Sequence, residues 1–294
     1  MQPPRKLQAA FTLVEMITVI VITGIIGGMV ALFIRAPVQG YVDSSRRAEM
    51  TDIADTAVRR LARDIRTAVP NSVRVPAAAC VATAAIPCYV EFLPTRDGGR
   101  YRANPVGGAG GCGAAGDDLA FNTPDNCFEI EGEPITFIAG DQIVIGSTQS
   151  DGNPPYDASA AGIRRGYTGA AGPQATVSFT ATALPVWAEL PSQRFDVVDG
   201  TQQAVTYACE VVGIDANGDG TGSLNRYAAY GYNSPQLPPA SLGVPALLAD
   251  RVSACAITYN AISQRNGLLE INLSITRNNE TVSLYQAIHV NNVP

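Results

Sequence analysis

Lysine is almost missing from this chain. Lys6 is the only one in 294 residues, so no lysine Schiff base can form anywhere beyond the sixth position. Histidine occurs once, at His289, and there it alternates with Ile288 and Val290. That alternation puts the ring on the polar face of a strand, whereas a Ser-His-Asp site would need it in a cleft. The six cysteines show no C-x-x-C spacing and there is one histidine, so zinc is the weaker rival to disulfides. Neither a Walker A loop nor a dinucleotide-binding glycine pattern occurs. The one tryptophan, Trp187, and the tyrosines read as packing residues rather than ligand platforms. A net charge of −6 argues against nucleic acid as a partner, because phosphate contacts require a positive field. No catalytic constellation is left, and the chain is expected not to be an enzyme.

What the chain does have is one long apolar run. From Met16 to Ile34 there is no charged residue. As a helix at ~1.5 Å per residue, that run covers roughly the 30 Å hydrocarbon core of a bilayer. Val19, Ile20, Val21 and Ile22 follow one another, so the helix is apolar all round, as a lipid-facing span must be. A carboxylate, Glu15, stands at its entrance. Charge at the edge of hydrocarbon is costly, which marks Glu15 as functional.

The flanks define the kind of span. Met1–Ala10 is a short polar leader with Arg5 and Lys6, and the apolar run is longer than that of a secretory signal peptide. Phe33-Ile34-Arg35-Ala36-Pro37 is a poor site for signal peptidase. The basic leader places the N-terminus in the cytoplasm and the rest outside. Ala10-Phe11-Thr12-Leu13-Val14-Glu15 resembles the processing site of type IV prepilins and pseudopilins. The resemblance implies that a prepilin peptidase cuts between Ala10 and Phe11, that Phe11 is then N-methylated, and that Glu15 serves in assembly. The family usually has Gly where this chain has Ala10.

Beyond the span, Met50, Ile53, Ala54, Ala57, Val58, Leu61, Ala62, Ile65, Ala68 and Val69 recur at spacings of three and four. They predict one apolar stripe on a helix that stops at Pro70. Gly24, Gly27, Gly28 and Pro37 are points where that long helix can kink. The arginines between the apolar positions read as a solvated face. From Val73 the period changes to two. Tyr89–Leu93, Phe128–Ile130, Ile135–Ile138, Gln142–Ile145, Val177–Phe179 and Phe195–Val198 read as short strands. Gly107–Gly116 and Ser147–Gly172 read as surface loops. Val205, Tyr207, Cys209 and Val211 share one strand face, and Cys255, Ile257 and Tyr259 share another. Leu269 to Ile275 and Val282 to Val290 alternate on either side of an Asn278-Asn279 turn. The expected fold is α+β: a long N-terminal helix, transmembrane and then amphipathic, covering one face of an antiparallel sheet. The expected divisions are a leader over 1–10, a transmembrane helix over 11–34, its amphipathic continuation over 35–70 and a β-rich domain over 71–294.

Six cysteines in an exported domain predict disulfides. Fifteen pairings are open. Sequence proximity favours Cys80–Cys88 and Cys112–Cys127, which leaves Cys209–Cys255. Asp215-Ala216-Asn217-Gly218-Asp219-Gly220 matches the first half of a calcium loop, with Asp215, Asn217 and Asp219 as the candidate ligands. Its twelfth position is Arg226 instead of the bidentate Glu, so an ordinary EF-hand is excluded, and a turn between strands is the plainer reading. No other cofactor is expected.

Further pieces extend the resemblance. Val69-Pro70-Asn71-Ser72-Val73-Arg74, Glu91-Phe92-Leu93-Pro94 with Gly99-Arg100-Tyr101, the Cys209 and Cys255 strands and His289-Val290-Asn291-Asn292-Val293-Pro294 together resemble the MshO family, the minor pilins of MSHA-type pili. The resemblance implies a structural subunit that primes or caps a type IV pilus. Its partners would be other major and minor pilins, the prepilin peptidase and the assembly platform of a bacterial inner membrane. The domain would lie in the periplasm, or in the pilus after incorporation. Two alternatives share the same stem: a minor pseudopilin of a type II secretion system, and an adhesin or ligand-binding protein tethered to a pilus.

Overall fold

A computed structural model describes residues 12–104, 112, 116–149, 153–261 and 266–293. It contains one long helix, α1, Leu13–Arg66, followed by fifteen strands. In chain order these are β1 Ala79–Val81, β2 Cys88–Phe92, β3 Thr95–Arg100, β4 Cys127–Glu129, β5 Ile135–Phe137, β6 Gln142–Ile145, β7 Arg164–Gly166, β8 Gly172–Gln174, β9 Thr176–Ser178, β10 Arg194–Val198, β11 Val205–Glu210, β12 Gly222–Tyr227, β13 Ala246–Asn260, β14 Asn266–Arg277 and β15 Glu280–Asn291. This is an α+β arrangement with antiparallel sheets. The chain divides into two compact units after Glu49.

The first unit carries the N-terminal part of α1. Helix assignment runs unbroken past Gly24, Gly27 and Gly28 and through Pro37, so the kink expected there does not interrupt the element. Thr12 begins the helix: its Oγ1 and its carbonyl both accept the Glu15 N–H, at 3.2 and 3.1 Å. Thr-x-x-Glu is the sequence signature of such an N-terminal cap.

In the second unit the remaining turns of α1 lie on a seven-stranded sheet. Its order is β15-β14-β13-β12-β11-β2, with β1 paired to β13. Met50, Ala54, Ala57, Val58, Leu61, Ala62 and Ile65 are buried, and these positions three and four apart form one stripe. They share a core with Val90, Phe92, Val205, Tyr207, Leu224, Ile257, Leu269, Ile271, Leu273 and Ile288 from the sheet. The strands β14 and β15 pair over twelve residues without a register shift, and Asn278 and Asn279 close the hairpin at φ 52° and 63°. Both turn residues need positive φ, which asparagine tolerates better than other non-glycine residues. Val211 departs from the expected strand. β11 ends at Glu210, Val211 turns outward at φ 53°, and Val212 is the buried neighbour instead.

A second apolar core belongs to residues 95–198. A four-stranded sheet of order β3-β10-β6-β7 and the pairs β4-β9 and β5-β8 enclose Tyr101, Phe128, Phe137, Phe179 and Phe195. The rings of Phe128 and Phe195 meet edge to face, 5.1 Å between centroids. The stretch Ser147–Gly172 is therefore not simply a surface loop. A 3-10 turn over Pro154–Tyr156 is buried, Ile163 is buried, and β7 pairs with β6. Arg165 is also buried, its guanidinium capped by the carbonyls of Gly162, Arg164, Thr182 and Ala183. Most of the Gly107–Gly116 loop lies outside the described residues.

Candidate functional site

The first unit presents an exposed apolar surface. From Leu13 to Ile34, exposure of the large apolar side chains runs from 49% at Val30 to 83% at Phe33. No residue of the most apolar 18-residue window is buried. Burying one Leu, Ile, Val or Phe side chain is worth about 1.5–3 kcal/mol, so a stripe this long requires an apolar environment. The helix is built for one. Between Met16 and Ile34 the only polar side chains are Thr18 and Thr23. Thr18 Oγ1 donates within the helix to the carbonyls of Val14 and Glu15, at 3.0 and 2.9 Å. Thr23 Oγ1 does the same to Val19 and Ile20, at 2.7 and 3.1 Å. Every hydroxyl in the run is thus satisfied without water, which is what hydrocarbon demands.

Glu15 is the exception. Its backbone is capped by Thr12, but its carboxylate makes no hydrogen bond or ion pair among the described residues. An unpaired carboxylate at the mouth of an apolar span is an open position for a cation. The processing positions Ala10 and Phe11 lie outside the described residues.

The other residues singled out in the sequence fall elsewhere. All six cysteines are oxidised. Cys80 bonds Cys88, Cys112 bonds Cys127 and Cys209 bonds Cys255, with Cα separations of 5.4, 5.5 and 6.2 Å. Cys209 and Cys88 face each other across β11 and β2, a neighbourhood that residue order alone does not convey. In the calcium-like stretch, Asp215 Oδ1 accepts the N–H groups of Asn217 and Asp219, at 2.9 and 2.8 Å. Asp219 Oδ1 accepts the Asn278 N–H at 2.7 Å, tying this turn to the β14–β15 hairpin. These backbone hydrogen bonds hold the Asp215 carboxyl below its ordinary pKa. Arg226, at the twelfth position in sequence, donates through Nε to Asp64 on α1, at 3.0 Å. His289 is exposed between buried Ile288 and Val290. Trp187, in the 3-10 turn Val186–Ala188, is 37% exposed.

Two polar groupings have no sequence signal. Arg74 and Glu91 form a buried ion pair at 2.8 Å. The Arg74 guanidinium stacks 3.6 Å over the Tyr156 ring, and Tyr230 donates to Glu91 at 2.9 Å. Burial raises the Glu91 pKa, opposed by Arg74 and by the Tyr230 hydrogen bond. The second grouping is Asp196 with Arg194 and Arg66 at the end of α1. Both groupings join residues remote in sequence, and only the tertiary fold creates them.

Residues 5–31 match the family profile of the prokaryotic N-terminal methylation motif. No curated protein matches the chain. No solved structure matches it either. The matched residues enclose the leader junction, Glu15 and most of the apolar run. The chain thus carries a type IV pilin-like prepilin signal on an apolar helix suited to membrane anchoring, joined to a disulfide-bonded β-rich region. The motif suggests a pilin-like or pseudopilin-like protein.

Proposed function

We propose that this chain is a minor pilin of an MSHA-type pilus, a structural subunit that helps initiate or cap pilus assembly. The observation that carries the reading is the exposed, uncharged helix with one unpaired carboxylate at its start. Such a helix can rest in lipid before assembly and among the helices of other subunits afterwards. After cleavage the new amine at Phe11 supplies a cation of the kind Glu15 lacks. We assign that partner to a neighbouring subunit, so that each pairing sets the position of the next chain. The MSHA assignment rests on the short resemblances distributed from Val69 to Pro294. In this reading the chain is not catalytic, sits in a bacterial inner membrane with residues 71–294 in the periplasm, and is matured by a prepilin peptidase.

Deletion of the gene tests the role. Counting surface pili and measuring type II secretion in the same strain separates the readings. Loss of pili with intact secretion is expected. Loss of secretion with normal pili would assign the chain to a secretion pseudopilus instead, and unchanged numbers of pili that no longer bind their surface would indicate a tethered adhesin.

A further inference from the structure

The layer containing β3 and β10 meets the seven-stranded sheet where α1 ends. Thr95 N–H donates to the Thr67 carbonyl at 2.7 Å there, and Ala68 bridges Pro94. Beside this contact lies a cleft of about 300 Å³ lined by Arg66, Thr67, Thr95, Arg194, Asp196 and Asn291, among others. That is the lower end of the range for ligand pockets, and it suits one small molecule.

The lining has free hydrogen-bonding capacity. The guanidinium groups of Arg66 and Arg194 are exposed and make no hydrogen bond or ion pair among the described residues. The Asp196 carboxylate, partly buried, makes none either. Asn291 Oδ1 accepts the Val293 N–H at 3.1 Å, which leaves its amide NH₂ available. Asp196 lies opposite Gly98 on β3 and Val144 on β6. Arg194 on its own strand and Arg66 from α1 are the other charged groups that line the cleft. Thr95 and Asn291 are uncharged.

Two guanidinium groups around one cleft recognise an oxyanion, and with Asp196 ionised the three charges sum to about +1. While Asp196 is ionised, at pH 7.5, a dianion would be repelled by it, whereas a monoanion is matched. The threonines and Asn291 suit hydroxyl groups on the same molecule. We propose that this cleft binds a small hydroxylated monocarboxylate of the size of one sugar acid. Protonation of Asp196 removes the one negative charge from the cleft and adds an O–H donor, so binding strengthens in acid. Burial pushes this carboxyl up to about 6, with Arg194 opposing, which places the change in a mildly acidic range.

The test is calorimetric titration of D-glucuronate into the full chain in detergent micelles at pH 5.0 and pH 7.5. Glucose and inorganic phosphate serve as comparison arms. Saturable glucuronate binding is expected, several-fold tighter at pH 5.0, with no binding of glucose at either pH and, at pH 7.5 where phosphate is largely a dianion, weaker binding of phosphate. Arg66→Ala and Arg194→Ala should each weaken it about tenfold, and Asp196→Asn should remove the pH dependence. Thermal unfolding of each variant establishes that it is folded; both arginines are exposed, so their loss leaves the cores intact. The proposal is overturned if glucuronate fails to saturate at pH 5.0, if glucose binds as well, if phosphate binds as well at pH 7.5, or if both arginine variants bind like the parent. The readout does not involve assembled pili, so its failure leaves the pilin reading untouched.

Discussion

Arg74 and Glu91 show what a single buried charge costs when its partner goes. The pair is almost fully enclosed, and Tyr156, Tyr230 and Asn153 complete its shell. Glu91→Ala leaves the guanidinium buried without a counter-charge, and removing one partner of such a pair costs about 3–5 kcal/mol. The urea unfolding midpoint should fall accordingly; a loss below about 1 kcal/mol, the range of surface pairs, would mean that water reaches the site. Asp196 acts in the opposite sense. Its carboxyl is raised from an ordinary 3.8 to about 6, so the folded chain holds the proton more tightly than the unfolded chain. The stability it contributes is complete below about 3.8 and is lost as pH rises through about 6. Asp196→Asn should therefore raise the melting temperature relative to the parent at pH 7.5 and not at pH 3.5. An equal difference at both values would contradict the shift. At Glu15 the expected outcome concerns assembly. Glu15→Ala should be inserted and processed at parental levels yet fail to restore pili in a deletion strain, while Glu15→Asp restores some. Normal piliation with the alanine variant would remove Glu15 from the mechanism.

Within single elements, α1 has two chemistries on one uninterrupted helix. Up to Ile34 its side chains are apolar on all sides, and from Met50 they are apolar on one stripe. Leu61→Ala opens a cavity beneath the seven-stranded sheet and should cost about 2–5 kcal/mol in the unfolding equilibrium. An unchanged midpoint would mean that α1 does not bear on that core. Cys209–Cys255 closes a loop across β11 and β13, 46 residues apart in sequence. Replacing both by Ser should destabilise by about 2–4 kcal/mol, read by the same titration. These elements are readable from residue order because each carries its own period: the apolar run, the three-and-four stripe, the alternation from Leu269 to Ile275 and the Asn278-Asn279 turn. β1, β3, β7, β8 and β12 are not. A stretch of polar and glycine residues such as Thr-Arg-Asp-Gly-Gly-Arg in β3 has no alternation to detect; β3 is a strand because Phe195 and Val197 of β10 offer it an edge. The buried run around Tyr156 and Ile163 is hidden in the same way. Its apolar residues sit among glycines and serines, and they gain a core only beside Val69, just past the end of α1, and Val144 of β6.

For the whole molecule, the signal that points to function is concentrated in the first tenth of the chain, whereas the cores occupy the remainder. A lipid-compatible helix declares itself by composition, so the site at Glu15 is legible residue by residue. The Arg66–Arg194–Asp196 cleft is not, because its members come from α1 and β10 and no spacing relates them. The central claim is that the N-terminus is a prepilin signal cut to free a membrane helix for assembly. Mass spectrometry of the mature N-terminus, on protein taken from the bacterial membrane, tests it most directly. The predicted result is a chain that begins at N-methylated Phe11. An intact Met1, or an end beyond Ile34, would contradict it.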